Sequence, residues 1–235
     1  MEAVAIPGFS DPVSSLSHLV SAGIFLIAGA FLLRRGREAA VRVFSLATFV
    51  VSAVFLLSMS GVYHLLDPQG TGHRVLQRLD HAGIFLLIAG SFTPVHVLLF
   101  RGWARWGVLL LIWVLAVTGI TLKVIFFEDI PEWLGLFLYL GLGWIGLASG
   151  IALWRRYGGS LIRPLVYSGL CYTAGGLLEF FRVPILVSGV LGPHELLHFG
   201  VIAGIGFHFA FLFRALDIAI ERKTANRETE RPMPG

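Results

Sequence analysis

An all-α integral membrane bundle of seven transmembrane helices is the fold class this sequence predicts. Three observations carry that expectation. The mean hydropathy is +0.81. Only 14% of the 235 residues are charged, against about a quarter in a soluble domain. Seven apolar runs are each long enough to cross the hydrocarbon layer, which takes about 20 residues. Helices are the natural spanning element because each satisfies its own backbone inside lipid. A β-barrel would alternate in polarity along each strand, and these runs do not.

The runs are placed near Leu16–Leu33, Val43–Leu66, His81–Phe100, Trp106–Phe126, Leu134–Trp154, Arg163–Phe181 and Glu195–Leu216. A short segment, residues 1–15, precedes the first. It holds no basic residue, and an Arg-rich loop (Arg34, Arg35, Arg37) follows the run, which does not read as a signal peptide. The single cysteine, Cys171, excludes an internal disulfide. Trp103, Trp106, Trp133 and Trp154 fall near span ends, as an interfacial belt requires. Gly146 with Gly150, and Gly200 with Gly204, are small-xxx-small pairs that let helices approach closely, serving the monomer core or a dimer. From residue 217 the chain turns polar, and Glu221–Gly235 reads as a disordered tail.

Orientation follows from the basic residues. Of the eighteen lysines and arginines, only Arg74, Arg78, Lys123 and Arg182 fall on the N-terminal side of seven spans; the other fourteen fall on the C-terminal side. The expectation is a multi-pass protein of the plasma (inner) membrane with its N-terminus outside and its C-terminus in the cytoplasm. The net charge of +4 is therefore topology, not nucleic-acid binding. Nothing in the sequence defines an oligomeric state.

The ionisable residues carry the chemistry. The second span ends near His64, the third begins near Asp80, and the seventh begins near His194. The end of an even span and the start of an odd one share a side, so these groups meet at one face. In His194-Glu195-Leu196-Leu197-His198 the histidines are four apart, on one helical face. Two such imidazoles can bind one metal, or they can be interfacial histidines in contact with water. Ser60 shares a helical face with His64. It can bond a substrate carbonyl or orient a water, or simply bond the backbone one turn earlier. Asp80 at a span end needs a partner, either a metal-bound water or Arg74 or Arg78. Ionisable groups at the rim of a membrane bundle are costly and usually functional, and three converging imidazoles are the ligand set of a catalytic zinc site.

His18 is expected as an interfacial histidine or a hydrogen-bond donor behind the metal ligands, and His81 to pack against another helix. His208, about 15 Å deeper than His198, is too far to join them. Glu179 and Arg182 are spaced to pair on a helix surface.

Ser60-Gly61-Val62-Tyr63-His64, Leu79-Asp80-His81-Ala82-Gly83-Ile84 running on to Ala89-Gly90-Ser91-Phe92-Thr93-Pro94, and His194-Glu195-Leu196-Leu197-His198 resemble the motif blocks of the hemolysin III family. The opening Asp11-Pro12-Val13-Ser14-Ser15-Leu16-Ser17-His18 is similar to that family's start. The resemblance runs from about Asp11 to Leu216. It places the chain beside the progestin and adipoQ receptors and, more loosely, the alkaline ceramidases. It implies a seven-helix bundle holding a Zn2+ ion on His64, His194 and His198, with Asp80 beside the zinc-bound water and Ser60 nearby. Adiponectin-type receptors keep their N-terminus in the cytosol, whereas the basic residues here place it outside.

With three neutral ligands and an open position, such a zinc lowers the pKa of a bound water to about 7. Asp80 is then the candidate general base and Ser60 the candidate oxyanion donor. A site at the rim of an apolar bundle suits a membrane lipid or other acyl-chain substrate. The expected function is a zinc-dependent hydrolase of lipid amides or esters. The alternatives are a receptor or sensor with a structural zinc, and a cytolysin; a secreted pore-former, however, should be water-soluble before insertion.

Overall fold

The computed structural model describes residues 9–229, and the backbone alone for residue 223 and residues 225–229. The described chain is helical: α1 (Pro12–Gly36), α2 (Ala40–Tyr63), α3 (Thr71–Leu99), α4 (Trp103–Ile125), α5 (Glu132–Trp144), α6 (Gly146–Tyr157), α7 (Gly159–Phe181) and α8 (Pro193–Thr229). Among the described residues there is no strand, only an isolated bridge between Val187 and Leu191. Helices α5 and α6 form one span broken at Ile145, within a run that holds Gly141, Gly143 and Gly146.

Six spans are long and apolar enough to cross a membrane. The seventh, α7, has 23 residues, about 35 Å at helical rise, and its hydropathy is lowered by Arg163 and Glu179. The helices close a ring in the order α1–α2–α3–α4–α5–α7–α8, and α3, which also packs on α5 and α8, is the most enclosed span, with 72% of its apolar window buried. Lipid tails are as apolar as leucine, so close packing rather than the hydrophobic effect holds such helices together. A methyl group on Gly200 would stand 2.9 Å from the Cys171 carbonyl oxygen and 3.3 Å from the Gly175 Cα. Gly200 and Gly204 therefore serve the monomer core, at the α7–α8 contact. Gly146 packs on Phe92, while Gly150 faces open space.

Two boundaries differ from the sequence expectation. Helix α3 begins at Thr71, ten residues before the apolar run, because its polar first turns lie outside the apolar layer. Asp80 is thus well inside a helix rather than at its start. Helix α8 continues past Leu216 as far as Thr229, where a disordered tail is expected. It is held there by Arg42, which donates to the Ala219 carbonyl at 2.6 Å, by the Arg35–Asp217 ion pair at 2.7 Å, and by Arg222 on the Tyr157 hydroxyl. Of the expected terminal segments, residues 1–8 and 230–235 lie outside the described residues.

A candidate metal centre at one end of the bundle

The first element of the site is an N-terminal strap. Asp11 caps α1, its carboxylate accepting from the Ser14 amide at 3.2 Å, with Pro12 opening the helix as its fixed φ favours. Such a cap contributes about 0.5–2 kcal/mol. The strap is tied to the end of α2: the Asp11 amide donates to the His64 carbonyl at 3.0 Å, Ser10 Oγ to Leu66 O at 2.8 Å and Ser15 Oγ to Gly61 O at 2.8 Å. This places the Asp11 carboxylate 3.4 Å from His64 Nδ1.

His64 closes α2 as its C-cap residue. His194 and His198 sit one turn apart in the first two turns of α8. One ligand atom from each of the three falls within 4.8 Å of the others. His64 and His198 are buried, and His194 is half-buried. The Nε2 atoms of His64 and His194 stand 3.2 Å apart. On the far side of the second ring, His194 Nδ1 faces Glu179 Oε1 at 3.3 Å. The buried Nδ1 of His198 has no hydrogen-bond partner, and the ring of His18 stacks on it at 3.9 Å.

These contacts test whether a metal fits. A carboxylate only accepts, so Asp11 and Glu179 each hold the ring proton on Nδ1. That leaves Nε2 of His64 and of His194 with its lone pair, and the two lone pairs converge. Such a pair repels unless a cation lies between them. Nitrogens about 2.0–2.1 Å from one tetrahedral zinc stand about 3.3–3.4 Å apart, close to the separation seen. A carboxylate behind a histidine ligand is the usual support of a metal site. His198 supplies a third donor, one of its ring nitrogens lying within 4.8 Å of ligand atoms of the other two. The cluster can hold a metal ion.

Electrostatics at the strap agree. Burial disfavours a charge on Asp11, but the bonds from His64 and Ser14 outweigh it and hold the carboxyl at about 2. Burial, opposed by the Asp11 bond and reinforced by neighbouring His194, keeps His64 below the usual imidazole value. A neutral imidazole is what a metal requires.

Asp80 and Ser60 stand beside this group. Ser60, 1% exposed, lies close to the Asp80 carboxylate, and Asp80 lies within electrostatic reach of His194. Among the described residues the metal-binding group comprises the three histidines, with Asp80 outside it. Arg78 is not its partner: it donates to the Val124 carbonyl at 3.0 Å and faces Glu128.

Other expectations are revised. His18 is 3% exposed and belongs to the site's wall rather than the interface. Glu179 and Arg182 do not pair, since Glu179 serves His194 and Arg182 reaches Glu132 at 3.0 Å. Arg182 ends α7 with φ +56°, which takes its side chain off the helical line. His81 bonds the carbonyl of Gln77 in its own helix at 2.9 Å and edges Phe127. His208 is buried against Phe49, away from the cluster. Sequence reasoning missed Asp11 and gave Glu179 the wrong partner. The Asp-Pro cap signal and the same even–odd parity of span ends would have found Asp11.

Fold and site together define a class: a polytopic helical membrane protein with a three-histidine cluster at one end, backed by carboxylates, that can hold a metal ion. The family model for haemolysin-III related proteins matches residues 9–209, and the chain belongs to that family. It is 27% identical over 188 residues to the Hemolysin-3 of Bacillus cereus, covering 79% of this chain and 81% of that protein. It is 28% identical over 138 residues to the Hemolysin-3 homolog of Bacillus subtilis (strain 168), covering 59% of this chain and 64% of that protein, less than two thirds of the relative's length.

Proposed function

We propose that this protein is a zinc-dependent hydrolase of lipid amides or esters, seated in the plasma (inner) membrane with the histidine end outside and the C-terminus in the cytoplasm. The carrying observation is that Asp80, with Ser60 close by, stands beside the three-histidine group without belonging to it. A carboxylate kept out of the ligand set leaves a coordination position for reactants, as catalytic sites do and structural sites do not. When bound, zinc supplies a Lewis acid that polarises a carbonyl and lowers the pKa of water at its open position to about 7.

The chain's own residues do the rest. His64, His194 and His198 would hold the ion, and Asp11 and Glu179 fix the tautomer and angle of two of the three rings. Asp80 takes the proton from the attacking water and returns it to the leaving amine or alcohol. Ser60, buried beside Asp80, acts as a positioning residue for the base. The distribution of basic side chains, with fourteen of eighteen at the opposite end, supports the orientation. A pore is the weaker reading of the Bacillus cereus relative's name for this chain, because α3 packs across the bundle onto α5 and α8.

Metal content and fatty-acid release from N-acyl and O-acyl lipids, measured on detergent-purified protein, test the proposal. About one zinc per chain, lost in His194→Ala, with release abolished by a chelator and restored by zinc, is expected. Chelator-free protein without stoichiometric metal would overturn it. The cluster would then be a protonated histidine pair shared between Asp11 and Glu179.

A further inference from the structure

The loop joining α7 to α8, residues 183–192, carries no charged side chain. The loops on the same face are different: residues 64–70 include Asp67, and residues 126–131 include Glu128 and Asp129. Yet Val183, Ile185, Leu186, Val187 and Val190 are 44–58% exposed. The loop is folded, not slack. Leu186 and Val187 donate to the Leu191 carbonyl at 2.9 and 3.0 Å, and Leu191 donates back to Val187 at 2.9 Å. Apolar side chains are thus held outward by a small hairpin. Both ends of the hairpin run into membrane spans. At its root Arg182 pairs with Glu132, beside the exposed Trp133, a residue type that marks the lipid–water boundary.

Beneath the hairpin lies a cavity of about 290 Å³. Glu179, Arg182, His194 and Glu195 line its polar wall, and Ile185, Val187 and Val190 its apolar wall. The polar wall reaches the histidine cluster through His194, which Glu179 faces at 3.3 Å. One cavity therefore joins His194 to an apolar surface.

We infer that the α7–α8 hairpin lies in the lipid surface and that its cavity seats the first carbons of a membrane lipid's acyl chain, with the adjoining carbonyl group at His194. The inference rests on the reading of the centre as one that acts on acyl lipids. An amphiphile fits where a soluble metabolite does not, since half the lining is hydrocarbon and the loop above offers water no polar side chain but Ser188. Large exposed apolar patches mark membrane or partner contacts, and continuity with two spans selects the membrane.

Fluorescence quenching on the full chain in phosphatidylcholine vesicles tests this without requiring turnover. Cys171→Ser removes the one native thiol. Leu186→Cys, Val190→Cys and, as a water-exposed reference, Glu128→Cys are each made in that background and labelled with an environment-sensitive dye. Brominated phosphatidylcholine is expected to quench the label at 186 several-fold more than that at 128, and aqueous iodide to do the reverse. A ceramide brominated on its acyl chain, at a few mole per cent, is expected to quench the label at 190 beyond the same bromine content on phosphatidylcholine. Equal iodide quenching at 186 and 128, or equal quenching at 190 by the two lipids, would overturn the inference. If one labelled variant fails to insert, the other still decides the hairpin's depth. A lipid-immersed hairpin on a protein that releases no fatty acid would sink the hydrolase reading alone. A water-exposed hairpin on an active protein would sink only this inference.

Discussion

The two ends of the bundle treat their ionisable groups in opposite ways. At the arginine-rich end, cations meet acceptors. Arg42 donates to Ala219 O, Arg105 to Phe100 O at 2.8 Å, Arg214 to Ser160 O at 3.1 Å, and Arg35 faces Asp217. Positive side chains there satisfy backbone carbonyls, and Phe100 O closes α3, where the helix dipole favours a cation. At the histidine end, donors of electron pairs meet each other. His64 and His194 turn lone pairs inward, His198 keeps an unpartnered nitrogen, and the acids stand behind the rings. One end pairs its cations with acceptors, with Arg42 Nη1 left over, and the other is complementary to a cation. Abundant charge marks orientation, whereas convergent unsatisfied donors mark chemistry.

Four measurements break or sharpen this contrast. The largest effect is expected for His198→Ala, which removes the third donor; metal content by elemental analysis should fall from about one per chain to background, with the helical circular dichroism retained. Asp80→Asn should keep the metal and lower turnover by about 10²–10⁴-fold, the usual worth of a general base. Loss of metal in that variant would instead place Asp80 among the ligands.

Asp11→Asn should weaken metal binding by about 10–100-fold, as removal of a carboxylate behind a histidine ligand does, read by competition with a chromogenic chelator. The native carboxyl sits at about 2 against an ordinary 3.8. Its contribution is fully present above 3.8 and is lost only as pH falls through 2. The gap between parent and variant should therefore be flat from pH 5 to 8, and a gap that closes across that range would contradict the ionised Asp11. The smallest effect belongs to the other end. Arg35 and Asp217 are 55% and 40% exposed, so Arg35→Ala should change stability by about 1 kcal/mol or less and leave the metal untouched.

The histidines were legible because helix parity is a strong constraint. Once seven spans are drawn, His64 and His194 must share a face, and a spacing of four puts His198 beside them. The carboxylates were less legible. Asp11 precedes the first span and Glu179 ends the sixth, so neither lies near its histidine in sequence. Each is delivered by a local event, a cap at Pro12 and a left-handed turn at Arg182, that hydropathy does not register. The end of α8 was misjudged for a similar reason. Composition past Leu216 is polar enough for disorder, but a buried arginine from α2 holds that segment through a backbone oxygen, an interaction blind to the identity of the residue it grips. The start of α3 was placed late because apolar runs report where lipid begins, not where helix does.

Helix α8 has a mechanical consequence. It runs unbroken from Pro193 to Thr229, with no proline inside and no irregular turn. From His194 to Arg222 it is a rod of about 42 Å at helical rise. Its upper end carries two of the three imidazoles, and its lower end is clamped by Arg42 and rests against Tyr157 through Arg222. A rod clamped at the foot has little freedom to rotate at the head, and a quarter-turn would carry His194 and His198 off the axis they share with His64. The register of the imidazoles is therefore set from across the membrane, by a grip on the far face that never approaches them.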